Sequence, residues 1–290
     1  MPRTQANGIE LEYETFGDPQ HPTLLLVSGL GSQLLGWRTG LCELLAARGF
    51  HVVRYDNRDI GLSTFLDQGP QPDLGAIVRG DPSSARYLLS DLARDAIGLL
   101  DALGVARAHI AGVSMGGMIA QQLAIDHPGR LLSLCSIMSR PGDGSSGTGT
   151  PEAEARLRSP RPADREAAIK AGILTWWVIG SPDYPEDEAS LRAHVAQNYD
   201  RSSRTDGIGR QLAAIVASPD RTPGLRGVTV PTLVLHGTAD PLIHHSGGEA
   251  TAKAVPGAEL LLLPGMGHNL PEPLWPAIVT AMAANAAKAA

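Results

Sequence analysis

The segment Gly112-Val113-Ser114-Met115-Gly116 joins an apolar run, Ala108 to Val113, to a run with helical spacing, Met115 to Asp126. A strand that turns at once into a helix admits only very small residues two positions before and after its corner, because backbone crowds both places. Gly112 and Gly116 occupy them. The corner side chain then projects above the carboxyl edge of a sheet, so the pattern predicts a strand, a sharp turn and a helix with Ser114 as a presented nucleophile. G-x-S-x-G also describes a glycine-rich turn with an incidental serine, so its meaning depends on partners elsewhere in the chain.

Two later segments supply an acid and then a histidine. In VPTLVLHGTADPLI, Thr232 to His236 has the form of a buried strand and Gly237 to Pro241 that of the turn after it, which puts Asp240 at the same sheet edge. In AELLLLPGMGHNLP, Glu259 to Leu263 is a short apolar strand, and Pro264-Gly265-Met266-Gly267 ends it so that His268 lies on a loop at that edge. The order Ser114, Asp240, His268 is the one the α/β-hydrolase architecture requires. Chemistry explains why the three types belong together. A serine hydroxyl is a weak nucleophile at neutral pH, so an imidazole must accept its proton, and a carboxylate must orient that ring and stabilise it once charged.

An oxyanion formed on the substrate needs preorganised donors. The N–H of Met115, first in the helix after the nucleophile, is the expected first donor. The second is expected from Ser28-Gly29-Leu30-Gly31, the loop after the apolar strand Thr23 to Val27, with Leu30 N–H as the choice.

With these motifs in place, the sequence resembles α/β-hydrolase-fold carboxylic ester hydrolases. Within that group, HVVRYDNRDIGLST, GVSMGGMIAQQLAIDHP and PGMGHNLP resemble the aclacinomycin methylesterase-like branch. The resemblance implies a small-molecule ester substrate and, at Asp56 to Ser63, a loop organised beside the oxyanion hole. Asp56 and Asp59 precede the nucleophile in the chain, so loop support through Arg58 is expected of them rather than catalysis. Many relatives carry His-Gly where this chain has Ser28-Gly29, a departure that bears on how the oxyanion loop is held.

Further strands are expected at Ile9 to Thr15, Val52 to Tyr55 and Leu132 to Met138, and helices at Gly36 to Arg48, Leu89 to Leu103 and Leu274 to Ala287. This alternation implies an α/β fold, a mostly parallel eight-stranded sheet flanked by helices, with an antiparallel opening strand. Between Met138 and Val228 the alternation fails. Ser139 to Pro151 is rich in Gly, Ser and Pro and is expected to be a mobile linker. Helical pieces follow at Glu152 to Arg158, Asp164 to Ile179, Glu186 to Tyr199 and Ile208 to Ala217. The division is therefore core 1–138, helical cap 139–227 inserted after the sixth strand, and core 228–290. A cap over the nucleophile would exclude water and set substrate choice, with Trp176 and Trp177 as candidate substrate-binding residues.

Composition excludes several other classes. A net charge of -6 gives no basic stripe for nucleic acid. MPRTQANGIELEY has no apolar signal core, and no run approaches the roughly 20 apolar residues needed to span a bilayer, so cytoplasmic residence is expected, as a monomer or homodimer. Cys42 and Cys135 are expected as reduced core thiols. His244 and His245 beside His236 lack metal-ligand spacing, so no metal is expected, and with no phosphate-binding glycine motif after a strand, no cofactor. Asp143 is a possible alternative acid, but its glycine-rich setting makes it a poor orienter. The same three residues could also serve thioester, lactone, peracid or carbon–carbon chemistry, or persist in a non-catalytic receptor on this fold.

Overall fold

A computed structural model of the chain describes residues 2–159 and 161–289. Eight strands, β1 (Arg3–Ala6), β2 (Ile9–Phe16), β3 (Thr23–Val27), β4 (His51–Tyr55), β5 (Ala108–Val113), β6 (Leu131–Ile137), β7 (Thr232–Gly237) and β8 (Glu259–Leu263), form one sheet in the order β1-β2-β4-β3-β5-β6-β7-β8. The β1–β2 and β2–β4 pairings are antiparallel; from β4 to β8 every pairing is parallel. The central strands β3 and β4 are buried along their whole length, which explains their continuous apolar character.

Helices cover both faces. Leu89, Leu92, Ala96 and Leu99 of α3 (Leu89–Ala102) and Met118, Ile119 and Leu123 of α4 (Met115–Asp126) bury one face with Leu25, Val53 and Ile110. Leu41 and Leu45 of α1 (Thr39–Ala46) and Ile278 and Met282 of α11 (Trp275–Ala287) bury the other with Leu24, Leu26 and Leu235. Cys42 and Cys135 are both free and buried, and burial pushes each thiol up to about 12. No helix of the described residues is long and apolar enough to cross a membrane.

Four helices lie between β6 and α9 (Thr222–Leu225): α5 (Pro151–Leu157), α6 (Arg165–Ile179), α7 (Glu188–Arg201) and α8 (Ile208–Ala217). Thr150, Asp164 and Asp187 accept from the amides of Ala153, Ala167 and Ser190, which fixes where α5, α6 and α7 begin. Ile169, Ile173 and Leu191 form a small separate core between α6 and α7. The segment before α5, expected to be mobile, is instead tied down. Ser139 Oγ donates to Ser114 O at 2.8 Å, Gly147 N–H to Ser246 Oγ at 3.0 Å, and Thr150 N–H to Pro241 O at 2.7 Å. Composition gave the segment its irregular backbone but not its anchors, all of which are distant in sequence.

Strand β1 and the helices α2 (Leu74–Val78) and α10 (Ser246–Ala254) have no clear sequence signal. β1 is a short polar edge strand. α10 opens Ser-Gly-Gly, a poor start for a helix, yet it must approach the sheet closely: a Cβ on Gly248 would stand 2.6 Å from His236 Nδ1. The expected helix Gly36 to Arg48 is split into a 3₁₀ turn at Leu34–Gly36 and α1, and the Trp37 carbonyl between them accepts from the buried Arg54 guanidinium.

Candidate active site

Ser114 sits at the junction of β5 and α4 with φ 56° and ψ −120°, a backbone conformation that L-residues rarely adopt. Its N–H donates to Ile137 O at 2.9 Å, and its carbonyl accepts from Met118 N–H and Ser139 Oγ, so neighbours on three sides hold the strained corner. The flanking glycines are required by space. A Cβ on Gly112 would stand 2.0 Å from Gly116 O, and one on Gly116 would stand 2.1 Å from Val27 O. Both obstacles are backbone and cannot rotate aside. Gly116→Ala is therefore expected to cost about 3 kcal/mol or more and to lower Tm by roughly 10 °C in a thermal melt; a Tm within about 2 °C of the parent would show that β3 and α4 can part freely.

Asp240 lies in the turn after β7 and His268 in the loop after β8, and Asp240 Oδ2 is 2.7 Å from His268 Nδ1. The other carboxylate oxygen, Oδ1, accepts from the amides of Leu242 and Ile243, each at 2.9 Å. Buried His236 stands behind it: Nε2–H donates to Ile243 O at 2.8 Å and lies 3.4 Å from Asp240 Oδ2. Burial, the largest single influence, pushes the Asp240 carboxyl up. The charge of His268 and hydrogen bonds from His236 and His268 outweigh it and hold the group well below the usual carboxylate range. Thus His236, discounted in sequence as part of a histidine cluster, backs the acid.

The His268 loop is clamped from two sides. Ala239 N–H donates to Met266 O at 3.0 Å from the β7 turn, while His268 N–H donates to Ile179 O at 2.7 Å and Gly267 N–H to Ser181 Oγ at 2.9 Å, both at the end of α6. With Nδ1 engaged by Asp240, His268 Nε2 has no hydrogen-bond partner among the described residues. Ser114 and His268 line one cavity of about 460 Å³. Among the described residues Ser114 Oγ makes no hydrogen bond, a looseness common in unliganded sites that tighten around substrate.

Neither Leu30 N–H nor Met115 N–H has an acceptor among the hydrogen bonds of the described residues. Gly29 and Leu30 line the cavity beside Ser114, and a Cβ on Gly29 would lie 3.3 Å from Ser114 Cβ. The support that Ser28 does not give comes from elsewhere: buried Ser28 Oγ has no partner, but Ser28 O accepts from Asn57 Nδ2 at 3.0 Å and Gly31 N–H donates to Gln211 Oε1 at 2.9 Å. Gln211 Nε2 in turn donates to Arg58 O at 2.8 Å.

The acids of the Asp56 to Ser63 loop are not held by Arg58, which pairs with Asp95 of α3. Asp56 receives the Leu34 and Leu62 amides and Arg201 of α7 at 2.7 Å; Asp59 receives Arg210 of α8 at 2.7 Å and the Tyr87 hydroxyl at 2.8 Å. Asp143 is occupied by the amides and hydroxyls of Ser145 and Ser146. Trp176 lines the cavity while packing on the small α6–α7 core, whereas Trp177 is 59% exposed and lies outside the lining. Adjacent helical positions point about 100° apart, and here that rotation carries Trp177 out of the lining.

A mostly parallel sheet carrying a strained serine between strand and helix, with an acid–histidine pair beyond its later strands, defines the class of α/β hydrolases. The chain belongs to the alpha/beta hydrolase family, whose model matches residues 24–276. It is 29% identical to rhodomycin D methylesterase DauP of Streptomyces sp. (strain C5), over 93% of this chain and 94% of that one. It is 26% identical to 3-oxoadipate enol-lactonase 2 of Acinetobacter baylyi, over 84% of this chain and 81% of that one. Among solved structures, the enol-lactonase from Burkholderia xenovorans LB400 superposes with a TM-score of 0.76 at 27% identity, covering 98% of this chain and 99% of that chain.

Proposed function

We propose that the chain is a serine hydrolase that cleaves a carboxylic ester through an acyl-enzyme on Ser114, with His268 as general base and Asp240 as the orienting acid. The observation that carries this reading is the Asp240–His268 contact of 2.7 Å beside the cavity that Ser114 and His268 share. His268 Nε2 takes the hydroxyl proton as Ser114 Oγ attacks the carbonyl carbon, and the resulting oxyanion accepts from Leu30 N–H and Met115 N–H. His268 then returns the proton to the leaving alkoxide, and water releases the acid by the same sequence. Residues 139–227 act as the cap, with Trp176 as its substrate-facing ring. A lactone, an internal ester, is the second reading; the likeness to enol-lactonases in both comparisons supports it.

A fluorophosphonate probe tests the reading. The parent protein is expected to be labelled at Ser114 and, when labelled, to lose hydrolysis of 4-nitrophenyl esters, methyl esters and lactones alike. Absence of labelling would point instead to a receptor built on this fold.

A further inference from the structure

The chain carries a net charge of -6, yet its cavity is lined by five arginines, Arg140, Arg156, Arg158, Arg161 and Arg204, and by one carboxylate, Glu154. Two of those arginines are already answered. Arg204 is held by Asp67 at 3.0 Å and Asp206 at 2.9 Å, and Arg158 by Glu154 at 3.3 Å. Arg140, Arg156 and Arg161 face no carboxylate among the described residues. Arg140 has only the Gly147 carbonyl, at 3.4 Å. Arg156 is pinned by neutral acceptors, Thr175 Oγ1 at 2.9 Å and the Ala171 carbonyl, so its position is fixed while its charge is left uncompensated.

Arg161 lines the cavity, and its guanidinium reaches the loop that carries Leu30: Nη2 would lie 3.1 Å from a Cβ on Gly31. Among the described residues it has no hydrogen-bond partner. The protein packed round that end, and then the like charge of Arg156, which lines the same cavity, lower its pKa. Two cations on the wall of one cavity, neither paired with a carboxylate among the described residues, repel. A substrate carboxylate would relieve that repulsion and accept the forked donors that guanidinium groups present. A cavity of one sign inside a protein of the opposite sign also concentrates ligands of complementary charge.

From this arrangement we infer that the cavity selects anionic esters, substrates bearing a free carboxylate a few bonds from the scissile carbonyl, and that Arg161 and Arg156 bind that carboxylate. This rests on the esterase reading above and narrows its substrate class. It makes Arg161 a specificity-determining residue.

The test compares charged and neutral esters of matched size: 4-nitrophenyl hydrogen glutarate against 4-nitrophenyl pentanoate, and 4-acetoxybenzoate against 4-methylphenyl acetate, which place the carboxylate on the acyl and alcohol sides. In at least one pair the anionic ester is expected to have a kcat/KM about tenfold higher or more, the order expected of one charged hydrogen bond, and added salt should erode that preference. Arg161→Gln, which breaks no internal hydrogen bond, should bring the ratio of the two rates toward unity, and Arg161→Lys should restore part of it. A ratio near or below one in both pairs for the parent, or one unmoved by Arg161→Gln, overturns the inference while leaving the esterase intact. Glutarate binding by calorimetry reads the subsite without any turnover: saturable heat weakened about tenfold in Arg161→Gln supports it, and no binding by the parent overturns it.

Discussion

Ser114→Ala should reduce kcat on any ester the enzyme accepts by about 10⁵- to 10⁶-fold, the order seen when the nucleophile of a serine triad is removed. The substitution deletes one oxygen that makes no internal hydrogen bond, and alanine keeps the Cβ that the corner already accommodates. Nothing that holds the corner is lost either: the Ser114 N–H still donates to Ile137 O, and its carbonyl still accepts from Met118 and Ser139. Melting temperature is therefore expected to stay close to the parent's while activity collapses. KM for a slowly turned-over ester should change little, since the cavity and its lining remain. A variant retaining more than about a hundredth of parental kcat would mean that the hydroxyl is not the nucleophile, and that water activated by His268 does the work directly.

The Ser114 corner was legible in the sequence because it is a local object. Two glycines at fixed spacing report a backbone crowded on both sides of Ser114, and the contacts at 2.0 and 2.1 Å are that crowding. Asp240 and His268 were legible for a related reason: each follows a short apolar run and a turn, so each falls at the carboxyl edge of a strand whatever the rest of the fold does. What lay beyond the sequence is the wiring between distant segments. Asp56 and Asp59 sit next to Arg58, and nearness in the chain suggested that pairing; in the fold they turn toward Arg201 and Arg210, more than a hundred positions away. An arginine on an amphipathic helix looks the same in sequence whether it meets solvent or a buried acid. Gln211, which joins Gly31 to the Arg58 carbonyl, gives no signal at all. Composition marks Trp176 and Trp177 alike as large and apolar and so could not say which of them lines the cavity; in the fold it is Trp176, while Trp177 is exposed.

That wiring bears on the function proposed for residues 139–227. Helix α8 supplies Gln211 to the loop after β3 and Arg210 to Asp59, α7 supplies Arg201 to Asp56, and the end of α6 holds the His268 backbone. The helices that shape the cavity therefore also brace the loops on which the proposed oxyanion donor and base sit. Substitutions at these ties should change kcat as well as KM, because a tilt of the loop that carries Leu30 or His268 misplaces a reacting group.

Asp240→Asn should lower kcat by about 10⁴-fold at neutral pH, as in serine triads where the acid is made an amide, and the surrounding hydrogen bonds explain why no rearrangement rescues it. The amides of Leu242 and Ile243 both donate to Oδ1, so an asparagine must keep its carbonyl oxygen there. Its NH₂ then takes the place of Oδ2, facing His268 Nδ1 at 2.7 Å and His236 Nε2, which is committed as a donor to Ile243 O. Facing a donor, His268 must carry its proton on Nε2, the nitrogen that has to receive the proton of Ser114. The parental acid faces no such competition over the working pH range. Its pKa is held below the unfolded value of about 3.9, so the stabilisation from its ionised form is fully present above that pH and is lost only as pH falls through the lower folded value. Any loss of parental activity between neutrality and about pH 4 must then come from a group other than Asp240. The asparagine variant should remain folded and should still be labelled by a fluorophosphonate, at a rate reduced in step with kcat. Activity above about a tenth of the parent's would show that His268 keeps its working tautomer without this carboxylate, and would remove Asp240 from the catalytic set.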